Sequence, residues 1–362
     1  MTNSWRQVFT ELTNFIAEHP EIEIEEARVI IPENTRLEFN RLFRAVRAAF
    51  INEKFPGFLA AAKPLSQSFV KAEQEVGKLL DLEGVSIPDR LNWFLRDPVD
   101  GLVRELWILL FELLKRRIDI ATFEKKGSER IGLIFDLFYE AGYGSWMELS
   151  LVDLLESKKL LKVSVLTAGT EFGHVEGEAV LLFNRPVPPP QESKQLSFCR
   201  GLAHTSFTVP DFIVYSGKVG RYVAARAEIR QATWNAANAS ENREWYPLVN
   251  YQAIFEPGYA LLYVDDGPEE ISLVLDVDKV CRPDLIIEFR GQEDWYVKEG
   301  LTKVKLRHDI LNPKLGTYIV SRQPLPEQAS AELVEGIHIL TVDFDTTKLV
   351  PIVDALTDLD PG

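Results

Sequence analysis

The residues with the clearest capacity for chemistry lie between positions 210 and 230. Pro210-Asp211-Phe212-Ile213-Val214-Tyr215 leads into a turn from Gly217 to Gly220, and Arg221-Tyr222-Val223-Ala224-Ala225-Arg226-Ala227-Glu228-Ile229-Arg230 follows. Two strand-like runs around a glycine-bearing turn predict a hairpin. Antiparallel pairing sets the start of one strand beside the end of its partner, which brings Asp211 towards Glu228. Converging carboxylates suit Mg²⁺, a hard cation that takes oxygen ligands and keeps several waters. A metal held there activates water and stabilises charge on a phosphate. The competing reading is structural: Asp211 follows a proline at a turn, and Glu228 is one exposed position of an alternating strand.

These residues resemble the PD-(D/E)XK nuclease superfamily. Pro210-Asp211 matches the PD element, and Glu228-Ile229-Arg230 stands at the (D/E)XK position with arginine in place of lysine. The expected helix at 247–255 and strand at 260–264 continue the family's element order. An earlier helix carrying Trp146 and Glu148 is similar to its first core helix, which often contributes a glutamate. A helical front half before such a core resembles nuclease subunits of restriction and anti-phage defence systems. The resemblance covers about residues 140–265 and implies a Mg²⁺-dependent phosphodiesterase acting on DNA or RNA. Asp211 and Glu228 would hold the metal, Glu148 would add a ligand or orient water, and Arg230 would grip phosphate. Arginine stays charged and is a poor base, so the Lys-to-Arg departure at 230 equally implies a non-catalytic relative. That relative would keep the sheet as a scaffold while the helical half binds a protein partner.

A second match lies downstream in Arg282-Pro283-Asp284-Leu285-Ile286-Ile287-Glu288-Phe289-Arg290. On one strand Asp284 and Glu288 share a face but stand more than ~10 Å apart at about 3.3 Å per residue, which is long for a shared metal. Asp266 or Asp276 offers Glu288 another partner. Lys298, Lys303, Lys305, Arg307 and His308 form a basic helical segment, read as a solvated face that balances an acidic chain. The five histidines show no HExxH-like spacing and the two cysteines, Cys199 and Cys281, no CxxC, so a structural zinc site is not expected. Walker, G-x-S-x-G and G-x-G-x-x-G signatures are absent. Gly169-Thr170-Glu171-Phe172-Gly173 lacks a phosphate-loop lysine and reads as a turn.

The elements that must position these residues come from a chain of 362 residues with a formal net charge of −15. That charge argues against a whole-surface coat on nucleic acid, because non-specific binding is driven by phosphate neutralisation. It leaves room for an enzyme with one basic groove. Two cysteines are too few for a disulfide framework, and the polar N-terminal segment does not read as a signal peptide. A cytoplasmic protein without membrane spans is therefore expected. Helical periodicity dominates to about residue 158. It predicts helices from Asn34, from Pro64 to Leu80, from Val99 to Ile118, from Ser128 to Tyr139, and from Ser145 to Leu155 after a break at Gly142 and Gly144. Strand candidates follow at 161–166, 179–183, 212–215, 222–229, 260–264, 272–277, 285–289, 317–321 and 337–344. Helix candidates at 247–255, 301–311 and 346–356 fall between them. Strands interleaved with helices predict an α+β protein: a helical region over 1–135, then a mixed sheet flanked by helices over 136–362.

Overall fold

The computed structural model describes residues 4–25, 28–161, 193–197, 212–226, 258–267, 282–297 and 300–359. It is an α+β structure. Seven helices come first: α1 (Trp5–Glu18), α2 (Glu33–Lys54), α3 (Pro56–Leu79), α4 (Asp89–Arg96), α5 (Pro98–Glu105), α6 (Trp107–Leu114) and α7 (Ile120–Leu154). A seven-stranded mixed sheet follows, in the order β11-β10-β9-β8-β7-β6-β4. Its strands are β4 (Ser157–Leu161), β6 (Phe212–Ser216), β7 (Tyr222–Arg226), β8 (Tyr259–Asp265), β9 (Leu285–Arg290), β10 (Thr317–Ser321) and β11 (Ile337–Thr341). Two small two-stranded sheets pair β1 (Glu23–Ile24) with β2 (Val29–Ile30), and β3 (Gly84–Ser86) with β5 (Gln195–Ser197). The chain separates into two compact units. One comprises Met1–Val70 and Asp89–Tyr139, the other Lys71–Pro88 and Glu140–Gly362. Among the described residues, no helix is long and apolar enough to cross a membrane.

In the helical unit the core is aromatic. Trp5 packs on Phe50 and Phe123 at ring distances of 5.5 and 5.3 Å, and Phe43 packs on Phe111 at 4.4 Å. The helix expected over Val99–Ile118 is two helices with a break at Leu106. Asp97 caps the first by accepting from the Val99 and Asp100 amides, with Pro98 in the first turn where its missing N–H costs nothing. The break turns Leu102 and Val103 inward on one helix and Leu110 and Leu113 on the next, while Trp107 and Ile108 stay exposed. Pro64 does not open a helix, as it lies inside α3, which Pro56 begins.

The expected interruption at Gly142 and Gly144 is also absent, because α7 runs unbroken from Ile120 to Leu154 and takes in Ser128 and Ser145. Gly144 has a packing role: a Cβ there would lie 2.8 Å from the Phe289 ring of β9. Glycine lets the helix approach the sheet closely, a tertiary demand that outweighs its poor helix propensity.

The antiparallel run β4-β6-β7-β8-β9 joins the parallel strands β10 and β11 at β9. Helix α8 (Gly300–Leu311) connects β9 to β10, the crossover that a parallel pair requires. It covers one face, where Leu311 packs with Ala224, Leu261, Tyr263 and Ile286. Leu301 and Val304 pack with Ile319 and Ile337 on the parallel part. On the other face, Leu151 of α7, Leu155 just beyond its end and Leu356 of α9 (Val350–Thr357) surround Phe212, Val223, Ala225, Ala260 and Leu262. Trp146 is buried and meets Phe344 edge-on at 5.1 Å, and the Tyr143 hydroxyl donates to the Val342 carbonyl at 2.7 Å.

Candidate functional site

The β6–β7 hairpin forms as the sequence predicts, with Phe212 opposite Ala225 and Tyr215 opposite Tyr222. Asp211, Glu228 and Arg230 lie outside the described residues, as do Asp276, Lys298, both cysteines and the expected elements at 179–183, 247–255 and 272–277. Glu148 is described and buried on α7. With Leu151, Leu155, Phe212, Val223 and Ala225 it lines a void of about 10 Å³, space for at most one water as the described residues define it.

A different polar cluster gathers at the carboxyl end of β9, next to the parallel strands, where open α/β sheets commonly bind ligands. Strand alternation turns Ile287 and Phe289 to the α7 side and Ile286 and Glu288 to the α8 side. Glu288 is fully buried there. Arg307 of α8, itself 3% exposed, donates to both its oxygens: Nε to Oε1 at 2.6 Å and Nη2 to Oε2 at 2.6 Å. Arg290, two residues along the strand, donates from Nη2 to the same Oε2 at 2.6 Å. The bidentate fork fits the planar carboxylate, and the low-dielectric surroundings strengthen it. The expectation that Arg307 belongs to a solvated basic face is therefore corrected: its guanidinium is buried against Glu288 on the sheet. His308 is half-buried, its Nδ1 lying 2.9 Å from the Thr317 hydroxyl, and Lys305 of the same segment pairs with the exposed Glu332 at 3.4 Å.

Glu140 of α7 completes the cluster. Its Oε1 lies 3.7 Å from Arg290 Nη1, and its Oε2 accepts from the Gly291 amide at 2.9 Å. Burial pushes its carboxyl up to about 7, although Arg290 and the Gly291 and Gln292 amides pull the other way. Gly258 makes this approach possible. Its φ is +123°, and a Cβ would lie 2.8 Å from Arg290 Nη1 and 3.5 Å from Glu140 Oε1. Trp295 flanks Arg290 with the guanidinium 5.5 Å from its ring, and its indole N–H donates to Ser321 Oγ at 3.0 Å. The charges thus alternate: Glu140, Arg290, Glu288, Arg307.

The downstream motif is consequently divided. Asp284 precedes β9 and serves β8, accepting from the Val264 amide at 2.7 Å and pairing with Lys314 at 2.7 Å. Asp266 pairs with Arg221 at 2.7 Å and not with Glu288. No group of three metal-ligating side chains occurs among the described residues. Sequence reasoning missed Glu140 and Gly258 and misplaced Arg307. One signal was present: Glu140 is a charge one and three positions from Tyr139 and Tyr143 on a helix whose neighbouring aromatic residues are buried. No protein-family model, curated protein or solved structure matches the chain.

Proposed function

We propose that the protein is a non-catalytic interaction protein, in which a nuclease-like sheet serves as scaffold and the helical unit engages a protein partner. One observation carries this reading. Glu288, the acidic residue of the Glu288-Phe289-Arg290 sequence, gives both oxygens to guanidinium donors. A carboxylate already neutralised by two arginines has little left to offer a cation. The order helix α7, antiparallel β7-β8-β9, helix α8 and parallel β10 supports kinship with the nuclease core, and the arginine-locked carboxylate supports loss of its metal chemistry. Two cysteines in 362 residues fit a reducing, cytoplasmic setting.

A second reading keeps catalysis at the upstream hairpin. The pairing of Phe212 with Ala225 favours it, since Asp211 immediately precedes β6 and Glu228 comes two residues after β7 in the sequence. Mg²⁺ would be held by those two carboxylates and phosphate gripped by Arg230. The experiment is a Mg²⁺- or Mn²⁺-dependent cleavage assay on single- and double-stranded DNA and RNA, with Asp211→Ala and Glu228→Ala as controls. The interaction reading expects no turnover and no metal-induced rise in melting temperature. Cleavage that both substitutions abolish would overturn it in favour of the nuclease.

A further inference from the structure

The helical unit holds a groove between α1, the β1 strand and the α6–α7 connection. Phe9 and Ile16 of α1, Ile22 and Ile24 around β1, Leu114 at the end of α6 and Ile118 of the connection supply its apolar lining. Its volume, about 1460 Å³, exceeds the roughly 300–1,000 Å³ usual for small-molecule sites and suits a peptide segment. Its charge is unlike that of the chain. Lys115, Arg116, Arg117 and Lys126 line it against one carboxylate, Asp119, in a protein of net charge −15. Arg117 is paired with Glu112 at 3.1 Å, and Asp119 is committed to capping α7 through the Thr122 amide at 2.8 Å. Lys115, Arg116 and Lys126 remain as the cationic side of the groove, and the N-terminus of α7 adds its positive end.

We propose that this groove docks an acidic amphipathic helix of a protein partner, with apolar side chains on the Ile16–Ile118 floor and carboxylates towards Lys115, Arg116 and Lys126. The apolar floor selects helix-in-groove recognition, read by anchors at i, i+3, i+4 and i+7. The cationic side selects an acidic partner and speeds its encounter. A second copy of the chain is disfavoured, since two chains of −15 repel each other. The proposal rests on the interaction reading for its biological meaning, but its readout is peptide binding and not cleavage, so either can fail alone.

The test uses the full chain and a fluorescein-labelled amphipathic helical peptide of leucine and glutamate, with a leucine and lysine peptide of the same pattern as its charge-reversed twin. Fluorescence anisotropy should show saturable binding of the acidic peptide, at least about tenfold tighter than the basic one and weakened by salt. Arg116→Glu with Lys126→Glu should reduce affinity about tenfold or more while the circular dichroism spectrum stays unchanged, because both residues are exposed. Ile16→Asp should do the same from the apolar side. Failure of the acidic peptide to bind, equal binding of the two peptides, or binding indifferent to the Arg116/Lys126 variant would overturn the proposal. So would self-association by light scattering that the same variant abolishes, or preferential co-sedimentation with anionic phosphatidylserine vesicles.

Discussion

Glu140→Gln should remove a pH dependence that is built into the sheet unit. The Glu140 carboxyl rises from 4.5 to about 7, chiefly through burial. The folded protein therefore holds this proton more tightly than the unfolded chain does. Its stabilising contribution is fully present below pH 4.5 and is lost as pH rises through about 7. The interval from 4.5 to about 7 corresponds to roughly 3 kcal/mol at 1.36 kcal/mol per tenfold change in proton affinity. Glutamine keeps an oxygen to accept from the Gly291 amide and cannot ionise, so it separates charge from geometry. Urea unfolding followed by tryptophan fluorescence across this range gives the stability of both proteins, and the difference between them cancels all other titrations. His308 is one such group; burial lowers its pKa, so its own effect runs in the opposite direction. The variant should gain on the wild type as pH rises, by roughly 3 kcal/mol above neutrality. A difference that stays flat through the interval would refute the account of Glu140 as a carboxyl whose burial outweighs the pull of Arg290.

Other substitutions probe the same unit. Glu288→Ala leaves Arg307 buried without its carboxylate and should cost about 3–5 kcal/mol, measured by urea denaturation, whereas Glu288→Met combined with Arg307→Leu should recover most of that loss. Gly144→Ala should destabilise by about 1–3 kcal/mol in spite of alanine's better helix propensity, because the added methyl meets the Phe289 ring; a rise in melting temperature would show that the ring yields freely. Trp146→Ala should cost about 3–5 kcal/mol by removing a fully buried indole from its contacts with Tyr143 and Phe344, and a loss below ~1 kcal/mol would place the ring outside the core.

The sequence by itself determined the α+β class, the switch from helical to strand periodicity, and the strands at Phe212–Ser216, Leu285–Arg290 and Thr317–Ser321. Those features follow from local hydrophobic spacing, which acts over a few residues. Helix boundaries were less legible. Gly144 reads locally as a helix breaker, and only the Phe289 ring against it explains a glycine inside an unbroken α7. The polar cluster could not be read at all from spacing. Glu140, Gly258, Glu288 and Arg307 come from four separate stretches of chain, two of them helices, and β9 lies between β8 and β10 only because of the sheet order. Nothing in Lys303-Val304-Lys305-Leu306-Arg307 marks which cation turns inward. That choice falls to Arg307 because α8 packs on β9 with this residue over Glu288, where a buried carboxylate requires a donor fork.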